Sequence, residues 1–120
     1  TVRLVGSEMC IRDSSNTIRS AWTTWGKTLS NEVAKSNITV NNILTGYFNT
    51  ERLEQLNSEK AKKMGVKVEE VFDAMKNQVP AKRIGNPKEF GYLATFLSSD
   101  YASYINGINI AIDGGLIKSL

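Results

Sequence analysis

Residues 86–115 read NPKEFGYLATFLSSDYASYINGINIAIDGG, and they contain the best-marked helix start of the chain, followed by a strand pattern. Asn86 suits a helix cap, Pro87 fits the first helical position and Glu89 completes a capping box, so a helix is predicted to begin here. Farther on, isoleucines alternate with small or polar residues as they do in a strand: Ile108, Ile110 and Ile112. The stretch therefore predicts a helix, a bend at Asn106-Gly107 and a strand.

Two more helices are predicted immediately upstream. The first begins at Glu51, with Thr50 as its N-cap, and ends near Gly65. Pro80 stops the second, whose apolar residues share one face: Val68, Val71, Phe72, Met75 and Val79. We expect these two helices to form a hairpin.

A strand and a long helix are predicted before that hairpin. The segment ITVNNIL, residues 38–44, is short and rich in β-branched residues, which is typical of a buried strand. From Asn16 to about Lys35 the apolar residues recur at intervals of three or four, which indicates an amphipathic helix: Ile18, Trp22, Trp25, Leu29 and Val33. Asn37 can end that helix in the left-handed conformation.

The order helix, strand, helical hairpin, helix and strand predicts an α/β fold. About 60 residues separate the two strands, enough for a right-handed crossover that leaves them parallel. Two parallel strands alone cannot cover both faces of a sheet or protect both edges. We therefore expect the chain to be a fragment of a larger sheet.

The first 14 residues, TVRLVGSEMCIRDS, continue no periodic pattern. The string EMCIRDS is similar to a translated sequencing adapter, so we interpret residues 1–14 as adapter-derived and residues 15–120 as one domain. The alternative is a short native strand over residues 1–5, where Val2 and Leu4 alternate with polar residues.

Composition argues against several classes of function. The chain is 41% hydrophobic and 22% charged, and its apolar runs fall far short of the roughly 20 residues that span a membrane, so we expect a soluble, cytoplasmic protein. One cysteine, Cys10, and no histidine leave no disulfide or metal site to propose. Glutamates flank the densest lysine patch on both sides, within residues 59–70, and this mixture of charges disfavours nucleic-acid binding.

Two runs carry a family resemblance. Residues 16–53, NTIRSAWTTWGKTLSNEVAKSNITVNNILTGYFNTERL, resemble the stretch after the active site of short-chain dehydrogenase/reductases, and residues 79–115 are similar to that family's closing helix, turn and strand. The resemblance covers residues 15–120. It implies the C-terminal part of a Rossmann-like, doubly wound parallel sheet, because the matched runs are those that follow the active site and close the family's chain. The sequence also contains no Gly-rich phosphate turn after a strand.

The resemblance places the family's catalytic tyrosine and lysine at Ser15 and Arg19. In the family, the tyrosine exchanges a proton with the alcohol, while the lysine lowers the tyrosine pKa and holds the nicotinamide ribose. An aliphatic hydroxyl is a far weaker acid than a phenol, so Ser15 is a poor general acid. Arg19 stays charged and can still bind ribose hydroxyls, although its alternative is an ordinary surface salt bridge. A divergent branch of the family also reads Ser-Asn-x-x-Arg here.

The resemblance also implies a cofactor loop after the first strand. The family's Pro-Gly-x-x-x-Thr becomes Thr45, Gly46 and, after three intervening residues, Thr50, and in relatives this loop contacts the nicotinamide carboxamide. Ile43 would contribute main-chain atoms. Ligands of such sheets lie at the carboxyl ends of strands, where helix N-termini also meet. Thr50 can be an N-cap at the same time.

The implied function is an NAD(P)-dependent oxidoreductase acting on an alcohol or ketone, similar to 3-oxoacyl reductases. A small-molecule substrate, NAD or NADP, and a homo-dimer or tetramer would belong to the complete protein, and we expect the chain alone to be inactive. The alternative is a non-catalytic cofactor-binding or structural subunit, since Ser15 removes the usual acid. Trp22 and Trp25 lie on the helix that joins subunits in this family; their alternative is burial in the core.

Overall fold

The computed structural model describes residues 7–118, with side chains from residue 18 onward. Its elements in chain order are α1 (Ser7–Val33), β1 (Asn42–Thr45), α2 (Glu51–Met64), α3 (Val68–Gln78), α4 (Pro87–Leu97) and β2 (Asn109–Ile112). Short 3-10 turns follow α1 and α4, at Ala34–Ser36 and Asp100–Ala102. The predicted order of helix, strand, helical hairpin, helix and strand is confirmed. No helix among the described residues has the length and apolar character needed to cross a membrane.

The chain divides into two compact units. The first comprises Thr1–Asn42 and Ser103–Asn109, and the second comprises Ile43–Ala102 and Ile110–Leu120.

The two strands pair in parallel, as predicted. In the first unit the N–H of Asn42 donates to the carbonyl of Ile108 at 2.9 Å. In the second unit the N–H of Gly46 donates to the carbonyl of Ile112 at 3.0 Å. The residue numbers rise together on both strands, which is the register of a parallel pair.

Strand β1 begins later than the sequence predicts, at Asn42 and not at residue 38. Before that point side-chain amides replace part of the backbone pairing, although the carbonyl of Val40 still accepts from the N–H of Gly107 at 2.8 Å. The N–H of Val40 donates to Oδ1 of Asn106 at 2.9 Å, and Nδ2 of Asn41 donates to the carbonyl of Ile105 at 3.0 Å. Ile38 is 52% exposed, so its β-branched side chain is not buried as predicted.

Helix α1 begins earlier than predicted, at Ser7 and not at Asn16. The residues between those two positions include no proline or glycine, so nothing local interrupts the helix. The division between residues 1–14 and 15–120 stays a prediction, and the alternative strand over residues 1–5 lies outside the described residues. At the other end, Asn37 takes the left-handed conformation with φ 59°, as predicted.

The two tryptophans of α1 are exposed in the described structure. Trp22 is 61% and Trp25 is 53% exposed, and their ring centroids lie 5.1 Å apart. The alternative that both are buried in the core is therefore wrong for the residues described. The side of α1 that is covered lies elsewhere, where Ser30 is fully buried and its carbonyl accepts from Nδ2 of Asn106 at 3.2 Å.

Helices α2 and α3 form the predicted hairpin. Ala61 and Val71 are buried, and Nδ2 of the buried Asn57 lies 3.1 Å from Sδ of Met75. Gly65 ends α2 in the left-handed conformation with φ 67°. The predicted hairpin and its turn are thus confirmed.

Helix α4 starts with the predicted capping box. The N–H of Lys88 donates to Oδ1 of Asn86 at 2.9 Å, and the N–H of Asn86 donates to Oε2 of Glu89 at 2.7 Å. Pro87 stands at the start of the helix, where its missing N–H costs nothing. These local contacts fix the point at which the chain enters α4.

Candidate functional site

The carboxyl ends of β1 and β2 approach each other closely in the second unit. A Cβ added to Gly46 would lie 2.6 Å from both Cα and Cβ of Asp113. No real side chain tolerates such a distance to a backbone atom, so glycine is required where β1 ends. The close approach of the two strand ends therefore accounts for the glycine at position 46 without any ligand.

The Asp113-Gly114-Gly115 sequence forms a terminal turn. Oδ1 of Asp113 accepts from the N–H of Gly115 at 2.9 Å, and Oδ2 accepts from the N–H of Ile117 at 2.8 Å. Gly114 and Gly115 have φ values of 64° and 90°, which glycine adopts without strain. Both carboxylate oxygens of Asp113 are thus engaged in holding the turn.

Four of the six predicted site residues lie together at the end of β1: Ile43, Thr45, Gly46 and Thr50. Thr45 is exposed, and among the described residues its hydroxyl makes no hydrogen bond. The hydroxyl oxygen of Thr50 accepts from the N–H of Leu53 at 3.3 Å, which confirms the predicted N-cap. That bond uses only the oxygen, so the hydroxyl proton of Thr50 can still be donated to a ligand.

The first turn of α2 restricts what this loop can hold. Glu51 and Glu54 both lie in that turn. Their negative charges oppose a phosphate, which a helix N-terminus would otherwise attract. A neutral amide, which needs hydroxyl and backbone partners, fits the residues present better than a phosphate does.

The other two predicted site residues lie on α1. Positions 15 and 19 are one helical turn apart and therefore on the same side of the helix. Arg19 is exposed, and the side chain of Ser15 lies outside those described. Both residues belong to the first unit, whereas the loop residues belong to the second.

A small open cavity of about 70 Å³ adjoins the loop within the second unit. It is lined by residues that include Tyr47, Phe48, Arg83, Gly85 and Glu89. Its size admits a few water molecules and not a nucleotide. The cavity is therefore a feature beside the loop and not a cofactor site in itself.

The sequence interpretation missed an ion pair beside that cavity. Nη1 of Arg83 donates to Oε2 of Glu89 at 2.8 Å, and Nη2 donates to Oε1 at 2.7 Å. The hydrogen bond from Arg83, followed by that from the N–H of Asn86, lowers the pKa of Glu89 from 4.5 to about 2. The same bond raises the pKa of Arg83. Glu89 was predicted only as a capping residue. Arg83 lies six residues before Glu89 and outside α4, so no helical spacing indicated that the two side chains would pair.

The comparisons with known proteins agree with this architecture. Residues 9–117 match the family model described as enoyl-(acyl carrier protein) reductase. The solved structure of a short chain dehydrogenase family protein from Francisella tularensis subsp. tularensis SCHU S4 matches 81% of this chain, with 31% identity and a TM-score of 0.78. The chain belongs to the short-chain dehydrogenase/reductase family.

Two further members of the short-chain dehydrogenase/reductase family illustrate the range of relatives. The NADPH-dependent reductase BacG of Bacillus subtilis (strain 168) is 37% identical over 78% of this chain and 36% of its own length. The L-sorbose reductase of Gluconobacter frateurii, solved in complex with NADPH and L-sorbose, is 32% identical over 88% of this chain and 40% of that chain, with a TM-score of 0.82. The chain spans about a third of the length of the curated relatives it matches.

Membership of the short-chain dehydrogenase/reductase family confirms the predicted fold class. The chain is the C-terminal part of a Rossmann-like, doubly wound parallel sheet. The roles of the six site residues remain predictions: Ser15, Arg19, Ile43, Thr45, Gly46 and Thr50.

Proposed function

We propose that a full-length protein carrying this chain is an NAD(P)-dependent oxidoreductase that interconverts an alcohol and a ketone, in the manner of 3-oxoacyl reductases. The observation that carries the proposal is the loop at the carboxyl end of β1, where the hydroxyls of Thr45 and Thr50 can both donate to a neutral amide. Relatives named as 3-oxoacyl-[acyl-carrier-protein] reductase and NADPH-dependent reductase support a carbonyl substrate. We also propose a cytoplasmic homo-dimer or tetramer.

The proposed roles follow from the chemistry of each side chain. NAD(P)H supplies the hydride when bound. The guanidinium group of Arg19 donates hydrogen bonds to ribose hydroxyls. Thr45, Thr50 and the main chain of Ile43 orient the carboxamide. Ser15 can donate a hydrogen bond to the substrate oxygen but is a weak proton donor.

Thr50 allows cofactor binding to be separated from helix capping. Aspartate is as good an N-cap as threonine but offers an acceptor in place of the hydroxyl donor. We expect Thr50→Asp to leave stability near wild type and to weaken NADPH binding on the order of 10-fold, as for one lost hydrogen bond. Fluorescence titration of the full-length protein with NADPH measures this.

The matched control is Thr50→Ser, which keeps both the cap oxygen and the donor proton. We expect its NADPH affinity to stay close to that of the wild type. Unchanged affinity in Thr50→Asp would refute the carboxamide contact.

The chain alone should show no NADPH oxidation with a panel of ketones, because its sequence contains no Gly-rich phosphate turn. Oxidation of NADPH by the isolated chain would refute that expectation.

The second candidate function is a non-catalytic cofactor-binding or structural subunit. It is favoured by the serine at position 15, where the family's proton donor would stand. The double variant Ser15→Tyr with Arg19→Lys in the full-length protein discriminates between the two. A large gain in turnover favours a weakened enzyme, and unchanged inactivity with retained NADPH binding favours the non-catalytic subunit.

A further inference from the structure

A closed ring of hydrogen bonds surrounds the bend before α4. Arg83 and Glu89 are joined by the two bonds described above, and Oε2 of Glu89 also accepts from the N–H of Asn86 at 2.7 Å. The ring therefore encloses the intervening backbone, including Gly85. It fixes the direction in which Gly85 presents its N–H and carbonyl groups.

Gly85 in turn holds the loop that follows β1. Its N–H donates to the carbonyl of Tyr47 at 2.8 Å, and its carbonyl accepts from the N–H of Asn49 at 2.9 Å. The two bonds form an isolated parallel bridge between Gly85 and Phe48. A Cβ at Gly85 would lie 2.8 Å from Cε1 of Phe48, so the ring of Phe48 packs directly on this backbone. Phe90 adds an edge-to-face contact with Phe48, at 6.0 Å between centroids.

The bridged segment lies between the two threonines of the candidate cofactor site. Residues 46–49 connect Thr45, where β1 ends, to Thr50, which precedes the first residue of α2. A change at Gly85 is thus transmitted through two backbone hydrogen bonds to the loop whose hydroxyls would hold the carboxamide.

We infer that Arg83 and Glu89 are positioning residues that hold the β1–α2 loop in the conformation that binds the nicotinamide cofactor. The inference rests on the proposed function. Neither side chain needs to touch the cofactor, because each acts through Gly85 and its bonds to Tyr47 and Asn49.

A purely stabilising role accounts less well for this ion pair. The side chains of Arg83 and Glu89 are 60% and 37% exposed. Ion pairs that remain in contact with water contribute little to overall stability. A bidentate guanidinium-carboxylate pair nevertheless fixes geometry strongly, which is what a loop support requires.

Two variants remove the pair by different routes. Glu89→Gln keeps an oxygen for the capping bond from Asn86 but loses the ion pair. Arg83→Lys keeps the positive charge but loses the planar fork. Lys88→Ala is the matched control, because it removes a positive charge from the same helical turn and the Lys88 side chain makes no hydrogen bond or ion pair among the described residues.

The full-length protein is tested by amide hydrogen exchange and by NADPH titration. In both pair variants we expect faster exchange at Gly85 and Asn49, and an NADPH dissociation constant raised on the order of 10-fold, since small misplacements of binding groups are costly. Turnover at saturating NADPH and the denaturation midpoint should change much less. Lys88→Ala should match the wild type in every readout.

Several outcomes overturn the inference. Unchanged exchange at Gly85 and Asn49 shows that the ring does not hold the loop, and faster exchange with unchanged NADPH affinity shows that the loop position does not govern binding. Wild-type behaviour of Arg83→Lys shows that charge and not geometry matters. If the wild-type protein binds no NAD(P)H at all, the proposed function fails together with this inference, whereas a failure confined to the variants leaves the proposed function standing.

Discussion

Gly46 shows at the scale of a single residue how the fold constrains the site. The family resemblance singled it out as part of a cofactor loop, whereas the structure gives it a purely steric reason. Its missing side chain lets the end of β1 approach the backbone of Asp113, where a Cβ would lie at 2.6 Å. Resemblance and packing thus explain the same glycine independently.

We expect Gly46→Ala to destabilise the protein by about 1–3 kcal/mol, because the backbone of Asp113 cannot move aside as a flexible side chain would. Urea denaturation measures the loss. Gly91→Ala is the matched control: apart from its own helix backbone and chain neighbours, no atom of the described residues lies within 4 Å of its added Cβ, and alanine is more stable than glycine in a helix by about 0.5–1 kcal/mol. A Gly46→Ala protein as stable as the wild type would contradict the steric explanation.

At the scale of elements, the start of α4 combines a local signal with a tertiary one. The capping box of Asn86 and Glu89 was predictable because its partners are three residues apart. The bond between Arg83 and Glu89 was not, because it depends on how the chain bends through Gly85. The same carboxylate therefore has a role visible in the sequence and one visible only in the fold.

The carboxylate of Glu89 makes stability depend on pH. Its pKa is lowered in the folded protein from 4.5 to about 2, so its contribution is fully present above about pH 4.5 and is lost as the pH falls toward 2. We expect the stability difference between the wild type and Glu89→Gln to be small, because the pair stays in contact with water, and to shrink further as the pH falls across that window. Denaturation midpoints at a series of pH values measure this; a constant difference would show that the ion pair does not shift the titration.

At the scale of the whole molecule, the described residues leave large apolar side chains exposed. Trp22 and Trp25 stand out, and Ile18 on the same helix is 68% exposed. The predicted helix is confirmed, but these residues of its apolar stripe are exposed in the described structure. The sequence pattern could not predict the cover of that stripe, since the chain spans only about a third of the length of its curated relatives.

We expect the fluorescence of the isolated chain to come from two solvent-accessible tryptophans. Emission should lie near that of tryptophan in water, and acrylamide should quench most of it. In a full-length protein that assembles as proposed, both tryptophans should be protected from acrylamide. The variants Trp22→Phe and Trp25→Phe separate the fluorescence of the two side chains in that measurement. Poor quenching and blue-shifted emission in the isolated chain would contradict the exposure of these two side chains on α1.

Local sequence patterns were sufficient to predict the identity and order of the elements, the caps at Thr50 and Asn86, and the left-handed residue Asn37. Each depends on residues a few positions apart, so each leaves a local pattern. The start of β1 could not be predicted in this way, because the amides of Asn41 and Asn106 form hydrogen bonds across more than 60 residues of chain. The support of the candidate cofactor loop was likewise decided by contacts between distant segments, which no local pattern encodes.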